Sequence, residues 1–508
     1  MTANDHERRL MPGDATRRYL AALRERGPLD VRWDRAPTRH KRYPEAARVT
    51  LPWRTAEPSP EPSPEILAGA LLRELLGFDR LVWLHQLDEE CAAAGGAPML
   101  VLGRPAPSGG ALYPIEAYVA LAGGLYHYDP VHHVLELVRG GDHRPVLGLP
   151  QAGGVLVLTA VFWRSMFKYG DFGYRLMCQE TGVLLAQAQA AGARLEIGVR
   201  AHLGLRDADL ECVLGLDGRR EAVMAALSLT FPCRDDGPGE PVHGDRARPS
   251  SPPPLPLIGG PAALLHRSTA TTGEPGPLPE PPLAPGHRHP LGDPAPVPVT
   301  RPSRTSPPAG YRPVALPLAD LAAVLAAAGP PHPGDLPEAT LTTYLLAQRV
   351  DGLPPAAYRH HPATRTLTRV GPPDAPPGPL HANTRAALRT AAAVLIAVGD
   401  PLAAVEQVGD RWYRLQQIAA GAAAHRAALA AFALGRAARI HSDGANDATD
   451  HVLGLAGTPF RSLSFLLLGT PLTRGPSLVR DLTSQGGDHS PARAPATNPC
   501  FSGLTPTS

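Results

Sequence analysis

The chain has 508 residues, with 49 basic against 47 acidic side chains and a formal net charge of +2. That balance gives no global reason to expect nucleic acid as a partner, and the length leaves room for two or three domains with real cores. Five scattered cysteines (Cys91, Cys178, Cys212, Cys233, Cys500) show no paired or ligand-like spacing, and neither a signal segment nor a membrane-length apolar run is present. Together these predict a soluble, cytoplasmic protein with inert thiols, no metal site and no membrane span.

Residues 1–32 are rich in arginine, a pattern that suits a solvated helix face better than an acidic partner. A first globular region covers 33–233. Within it, Ser63 as N-cap, Pro64 at the first helical position and Gly77 as a stop predict a helix. The stretch 115–130 predicts a hairpin about Gly123 and Gly124, and 153–162 a buried central strand. From Gly173 to about Ala191 apolar residues occupy most faces, which predicts a buried helix, and 214–229 reads as a turn and a last strand. The fold class is α+β.

Residues 234–310 hold 21 of the chain's 60 prolines and no sustained apolar period. They are expected to form a flexible, Pro-rich linker, with the apolar patch PLPLIGGPAALL read as part of it rather than as a docked element. A second globular region spans 311–473, and 474–508 is a tail expected to be disordered.

The two globular regions repeat each other. VLVLTA (155–160) returns as VLIAVG (394–399), 239 positions on, and LGLDG (214–218) falls on LGLAG (453–457) in the same register. Between them Gly170, Asp171, Tyr174, Arg175, Leu176 and Gly182 reappear as Gly409, Asp410, Tyr413, Arg414, Leu415 and Gly421, while Lys168 and Tyr169 have become Gln407 and Val408. Constant register over so many residue types marks a tandem duplication whose second copy has diverged.

RPAPSGGALYPIEAYV (104–119) has no counterpart in the second copy. Its Ser-Gly-Gly can expose backbone amides to a ligand, forming a nest for an anion or carbonyl, with Arg104 adding charge. Spacing alone favours a plain tight turn before a strand. In the same way, Lys168 alone reads as a surface lysine and Tyr169 as a packing residue. The histidines of YHYDPVHH (126–133) read as surface side chains rather than metal ligands.

Taken together, RPAPSGGALYPIEAYV, GLYHYDP, FWRSMFKYGDFGYRLMCQETG and LGLDG resemble the SagB-type azoline dehydrogenases, a branch of the FMN-dependent nitroreductase superfamily. The resemblance runs from about residue 33 to 230. It implies tandem nitroreductase-like domains, the second degenerate, and a bound FMN. It also implies oxidation of thiazolines or oxazolines to thiazoles or oxazoles in a ribosomally made precursor peptide, cyclised beforehand by a partner cyclodehydratase. By the same resemblance Lys168 and Tyr169 are catalytic, and Pro107, Ser108, Gly109 and Gly110 lie beside the flavin. The usual early Arg-rich phosphate segment is replaced by EPSPEPSPEILAGALL, which leaves the phosphate to Arg104, Arg73, Arg80 or an arginine of the second half. The superfamily forms homodimers with the flavin at the subunit interface; here the fused copies can form an intramolecular pseudo-dimer or leave that role to a homodimer. Two other readings stay open, a different FMN-dependent oxidoreductase and a non-catalytic flavoprotein scaffold of a biosynthetic complex. Retention of Lys168 and Tyr169 speaks against the scaffold.

Overall fold

The structure is a computed structural model. It describes residues 10–481 except 28–30, 32, 54–61, 85–98, 150–151, 233–246, 250–254, 271–277, 282–285, 299–305, 308–309, 330–333, 336–340, 374–379, 381 and 473–476. Cys91, Cys233 and Cys500, much of 234–310 and the tail beyond 481 lie outside the described residues.

In chain order the first half runs α1 (Asp14–Arg24), β1 (Arg48–Thr50), α2 (Pro64–Leu76), β2 (Arg80–Leu84), β3 (Met99–Gly103), β4 (Ile115–Leu121), β5 (Gly124–Asp129), β6 (Val134–Gly140), β7 (Gly154–Val161), α3 (Trp163–Tyr169), α4 (Phe172–Leu195), β8 (Gly198–His202), α5 (Asp207–Leu214) and β9 (Glu221–Thr230). There follow α6 (Gly260–Arg267), β10 (Arg288–Pro290), β11 (Tyr311–Arg312), α7 (Leu318–Ala328), β12 (Thr342–Ala347), β13 (Ala356–His361), β14 (Thr366–Gly371) and α8 (Ala382–Thr390). The chain closes with β15 (Ala393–Gly399), α9 (Val405–Val408), α10 (Arg411–Ala433), β16 (Ala437–His441), α11 (Asp447–Val452), β17 (Arg461–Pro471) and β18 (Ser477–Asp481).

The first sheet has the order β1-β6-β5-β4-β7-β9-β8, all antiparallel. The second has β10-β14-β13-β12-β15-β17-β11, with β16 also on β17. Apart from the short β11, which has no counterpart, the order of neighbours is the same when β16 is matched to β8, so the duplication read from sequence is a duplication of fold. Each central strand is buried along its whole length or nearly so, as an apolar run covered on both faces must be.

Two long helices, α4 and α10, pack on each other at the centre of the molecule. The repeated glycines explain how closely. A methyl at Gly182 would overlap the Ile418 carbonyl oxygen, and one at Gly421 would overlap that of Gln179. The crossing therefore needs both glycines. Polar groups along the seam are matched across it: Gln179 Nε2 donates to Gln417 Oε1 at 2.7 Å and to the Leu463 carbonyl at 2.8 Å, and Ser442 Oγ donates to Gln179 Oε1 at 2.5 Å. His425 and Gln187 meet there as well, at 2.6 Å.

Three segments differ from the sequence-based expectation. The stretch expected to be a flexible linker contains α6, whose Ala262, Ala263, Leu265 and His266 are buried, and β10, which pairs with β14 just as β1 pairs with β6. α6 docks on the first half, where the Ala262 amide donates to Asp171 at 3.1 Å. α1 does the reciprocal job on the second half: the Thr16 amide and hydroxyl donate to Asp410 at 2.8 and 2.6 Å. The Arg-rich opening segment is thus partly a docked helix, with Ala15, Thr16 and Tyr19 buried. Finally, the tail includes β18, which pairs with β2 in a three-stranded sheet with β3. Short segments whose partners lie hundreds of residues away carry too little internal periodicity to be read locally.

Candidate functional site

α3 ends in Lys168 and Tyr169, and Gly170 separates it from α4. A buried polar network anchors this short helix from behind. Arg164 Nη1 donates to Glu116 on β4 and its Nε to the Thr38 carbonyl at 3.1 Å. Glu116 also meets His127 on β5, at 3.1 Å, and the other ring nitrogen of His127 is 3.1 Å from Glu136 on β6. Burial opposes protonation of His127, but the bonds to Glu116 and Glu136 outweigh it and hold the imidazolium above the ordinary histidine value. Burial would raise Glu116, yet Arg164 and His127 hold it well below the carboxylate range. His127 and His133 are both buried, which corrects the surface reading for these two: His127 is held between the carboxylates of covered strands and His133 between Tyr128 and the Pro52 carbonyl, while His132 is exposed as expected. Among the described residues no cluster of histidine, cysteine or carboxylate side chains is arranged to hold a metal ion.

The Pro107–Gly110 segment lies against the end of α3. Gly110 has φ +62°, and a Cβ placed on it would stand 2.6 Å from Tyr169 Oη and 2.9 Å from Lys168 Nζ. The two distinctive stretches, about sixty positions apart in sequence, therefore meet at one place, where a Cβ would push both side-chain tips aside and the positive φ favours glycine. Lys168 Nζ also lies 5.6 Å from the Trp33 ring and 5.2 Å from that of Tyr169. Burial lowers Lys168 from the ordinary lysine value. Tyr169 is pushed up to about 12, chiefly by burial, with Glu180 and Asp443 adding to the rise and Arg439 opposing it. Asp443 and Arg439 belong to the second half, so the site feels both copies.

Of the two amides expected to form a ligand-binding nest, that of Gly109 is committed within the protein: it donates to Glu180 Oε1 at 2.8 Å. Ser108 Oγ accepts from the Tyr113 amide at 2.8 Å. Pro107 and Ser108 are part-buried at the same turn. Arg104 is buried between the rings of Tyr113, at 4.4 Å, and Phe78, at 5.4 Å, and its Nε has no hydrogen-bond partner among the described residues. The other candidate arginines of the first half are engaged, Arg80 with Asp79 at 2.7 Å and Arg73 with the Trp53 carbonyl. Glu180 itself was not singled out from sequence. The signal was present, because its counterpart 239 positions on is Ala419, a loss parallel to that of Lys168 and Tyr169.

No protein-family model matches the chain. Among curated proteins it is 33% identical over 141 residues to the microcin B17-processing protein McbC of Escherichia coli, covering 23% of this chain and 51% of that protein. It is 32% identical over 146 residues to the trifolitoxin-processing protein TfxB of Rhizobium leguminosarum bv. trifolii, covering 25% of this chain and 39% of that protein. The chain thus spans about half the length, or less, of the curated relatives it matches. A crystal structure of a nitroreductase candidate from Anabaena variabilis superposes with a TM-score of 0.68 at 22% identity, covering 90% of this chain and 99% of that one. That likeness extends the nitroreductase fold over both halves. No described helix is long and apolar enough to cross a membrane.

Proposed function

We propose that this chain, a SagB-type nitroreductase-like protein, is an FMN-dependent dehydrogenase that oxidises thiazoline or oxazoline rings in a precursor peptide to thiazoles or oxazoles. The observation that carries the reading is the convergence of Lys168 Nζ and Tyr169 Oη on Gly110. Two peptide-processing proteins among its relatives, McbC and TfxB, support the substrate class. The peptide would arrive already cyclised by a partner cyclodehydratase.

The residues present fit FMN. Gly110 leaves the turn open where any side chain would close it, and the buried Arg104 offers an unpaired Nε–H to an anion. Pro107, Ser108, Gly109 and Gly110 would line the flavin, with Arg104 toward its charged end. Bound there, FMN supplies a hydride acceptor. The protein supplies the rest. Aromatising an azoline ring removes a hydride and a proton, and the proton needs a base. Burial moves the pair's proton affinities apart: Tyr169 keeps its proton at neutral pH, whereas Lys168 is the group that can be emptied. Trp33 and Tyr169 flank the ammonium and keep bulk water from it on two sides.

The test uses the full chain, FMN and a cyclised peptide. Wild type should stay yellow after unbound FMN is removed and should take two hydrogens from each ring by mass spectrometry, and Lys168→Ala should bind FMN but leave the rings unoxidised. Equal oxidation by both would sink the assignment of the base. Failure of the wild type to take up FMN would sink the flavin reading itself.

A further inference from the structure

Residues 108–113 form a turn with an unusual backbone. Gly110 is at φ +62°, and two residues that carry a Cβ, Ala111 and Tyr113, are also on the left-handed side, at φ 55° and 48°. Left-handed backbone is unfavourable for a residue that carries a Cβ, so the shape persists only where neighbouring contacts impose it. One such contact is internal, from the Tyr113 amide to Ser108 Oγ at 2.8 Å. A second, from the Arg104 amide to Tyr113 Oη at 3.3 Å, joins the turn to the residues before it, and a third ties it to the body of the protein. Glu180, buried on α4, accepts the Gly109 amide at 2.8 Å. A Cβ on Gly109 would be 3.2 Å from Leu176 Cδ1 and 3.4 Å from Glu180 Oε1, so the turn rests directly on the helix.

We propose that Glu180 is a positioning residue that clamps the Ser108–Tyr113 turn onto α4 in its strained shape, and thereby sets the distance between Gly110 and the Lys168–Tyr169 pair. Nothing else among the described side chains bonds the Gly109 amide. The second copy, which lacks the turn and the pair, has Ala419 at this position; a clamp with nothing to hold has been lost with what it held. The carboxyl is pushed up to about 8 by burial, against the pull of Gly109, Ser108 and Arg104. It is therefore largely a neutral acid at pH 7, and a glutamine reproduces its acceptor oxygen.

The consequence for the cofactor rests on the FMN reading; the consequence for the turn does not. Two measurements on the full chain separate them. In the absence of FMN, hydrogen exchange followed by mass spectrometry should show faster exchange across 105–113 in Glu180→Ala, restored to the wild-type rate in Glu180→Gln. With FMN titrated in, Glu180→Ala should bind about tenfold or more weakly, the loss expected when a buried donor is left without its acceptor, and Glu180→Gln should stay within about threefold of wild type. Unchanged exchange in Glu180→Ala overturns the proposal, and so does a Glu180→Gln variant as defective as the alanine. If wild type binds no flavin but the exchange result holds, the clamp stands and the flavin reading falls. If Glu180→Ala does not fold by circular dichroism, Glu180→Asp, too short to reach the amide, takes its place against Glu180→Gln with the same outcomes.

Discussion

Lys168 and Tyr169 are neighbours in sequence with opposite responses to the same burial, because a desolvated amine loses its proton more easily and a desolvated phenol less so. The pH profile of turnover should accordingly rise to a plateau with an apparent pKa below the ordinary lysine value of about 10.4, as Lys168 empties. Lys168→Ala should abolish that limb and lower kcat by about a hundred- to ten-thousand-fold, measured at saturating FMN. Glu180 makes a second prediction in the opposite sense. Its folded-state value of about 8 lies above the 4.5 of a free glutamate. At this group the native state therefore holds more protons than the unfolded chain between those limits, so the contribution of Glu180 to stability falls as pH rises from about 4.5 to about 8. Lys168, Tyr169 and Arg104 are the ionisable groups around that carboxyl and its turn. The denaturant midpoint of wild type relative to that of Glu180→Gln should decline steadily across the interval.

The paired helices α4 and α10 are where the repeated motif acquires its physical meaning. Gly182 and Gly421 stand out in the sequence only as matched letters. In the fold each is the point at which the opposing backbone comes too close for a methyl group. Gly182→Ala and Gly421→Ala should each cost about 3 kcal/mol or more, read as a lowered denaturation midpoint, since backbone rather than a pliable side chain meets the new atom. Arg175 and Arg414 repeat the same logic: Arg175 donates to the Ser462 and Leu463 carbonyls, and Arg414 lies 3.4 Å from the Val223 carbonyl while pairing with Asp207 at 2.7 Å. Each arginine of the repeat serves the other half of the molecule. The helices and central strands themselves were legible, because a core run or a Ser-Pro start and Gly stop is written within a dozen residues. The burial of His127 was not, because it depends on carboxylates from two other strands.

At the scale of the molecule the two halves are not separable units joined by a tether. α6 and β10 come from the presumed tether, α1 caps the far half at Asp410, and β18 returns to β2. A fragment of residues 1–233 would expose α4, leave Gln179 and Arg175 without their acceptors and strip Asp171 of the α6 amide. It should fail to give a folded, flavin-binding protein, as tested by circular dichroism and FMN titration. The intact chain should take up one FMN rather than two, measured as flavin released per chain, because Gln407, Val408 and Ala419 replace the groups that define the first site.

The register of the duplication, the helices and central strands of its two halves, and the survival of the Ser-Gly-Gly turn and the Lys-Tyr pair in one copy alone were all written in the sequence. These are local properties, set by periodicity, turn chemistry and residue identity over short spans. Tertiary structure alone decided that the two stretches touch at Gly110, that Glu180 holds the turn, and that the Pro-rich segment contributes to the second copy of the fold. Those depend on which groups each half's sheet and helices bring within bonding distance, across about 60 to 80 positions of sequence, and no local window contains both partners.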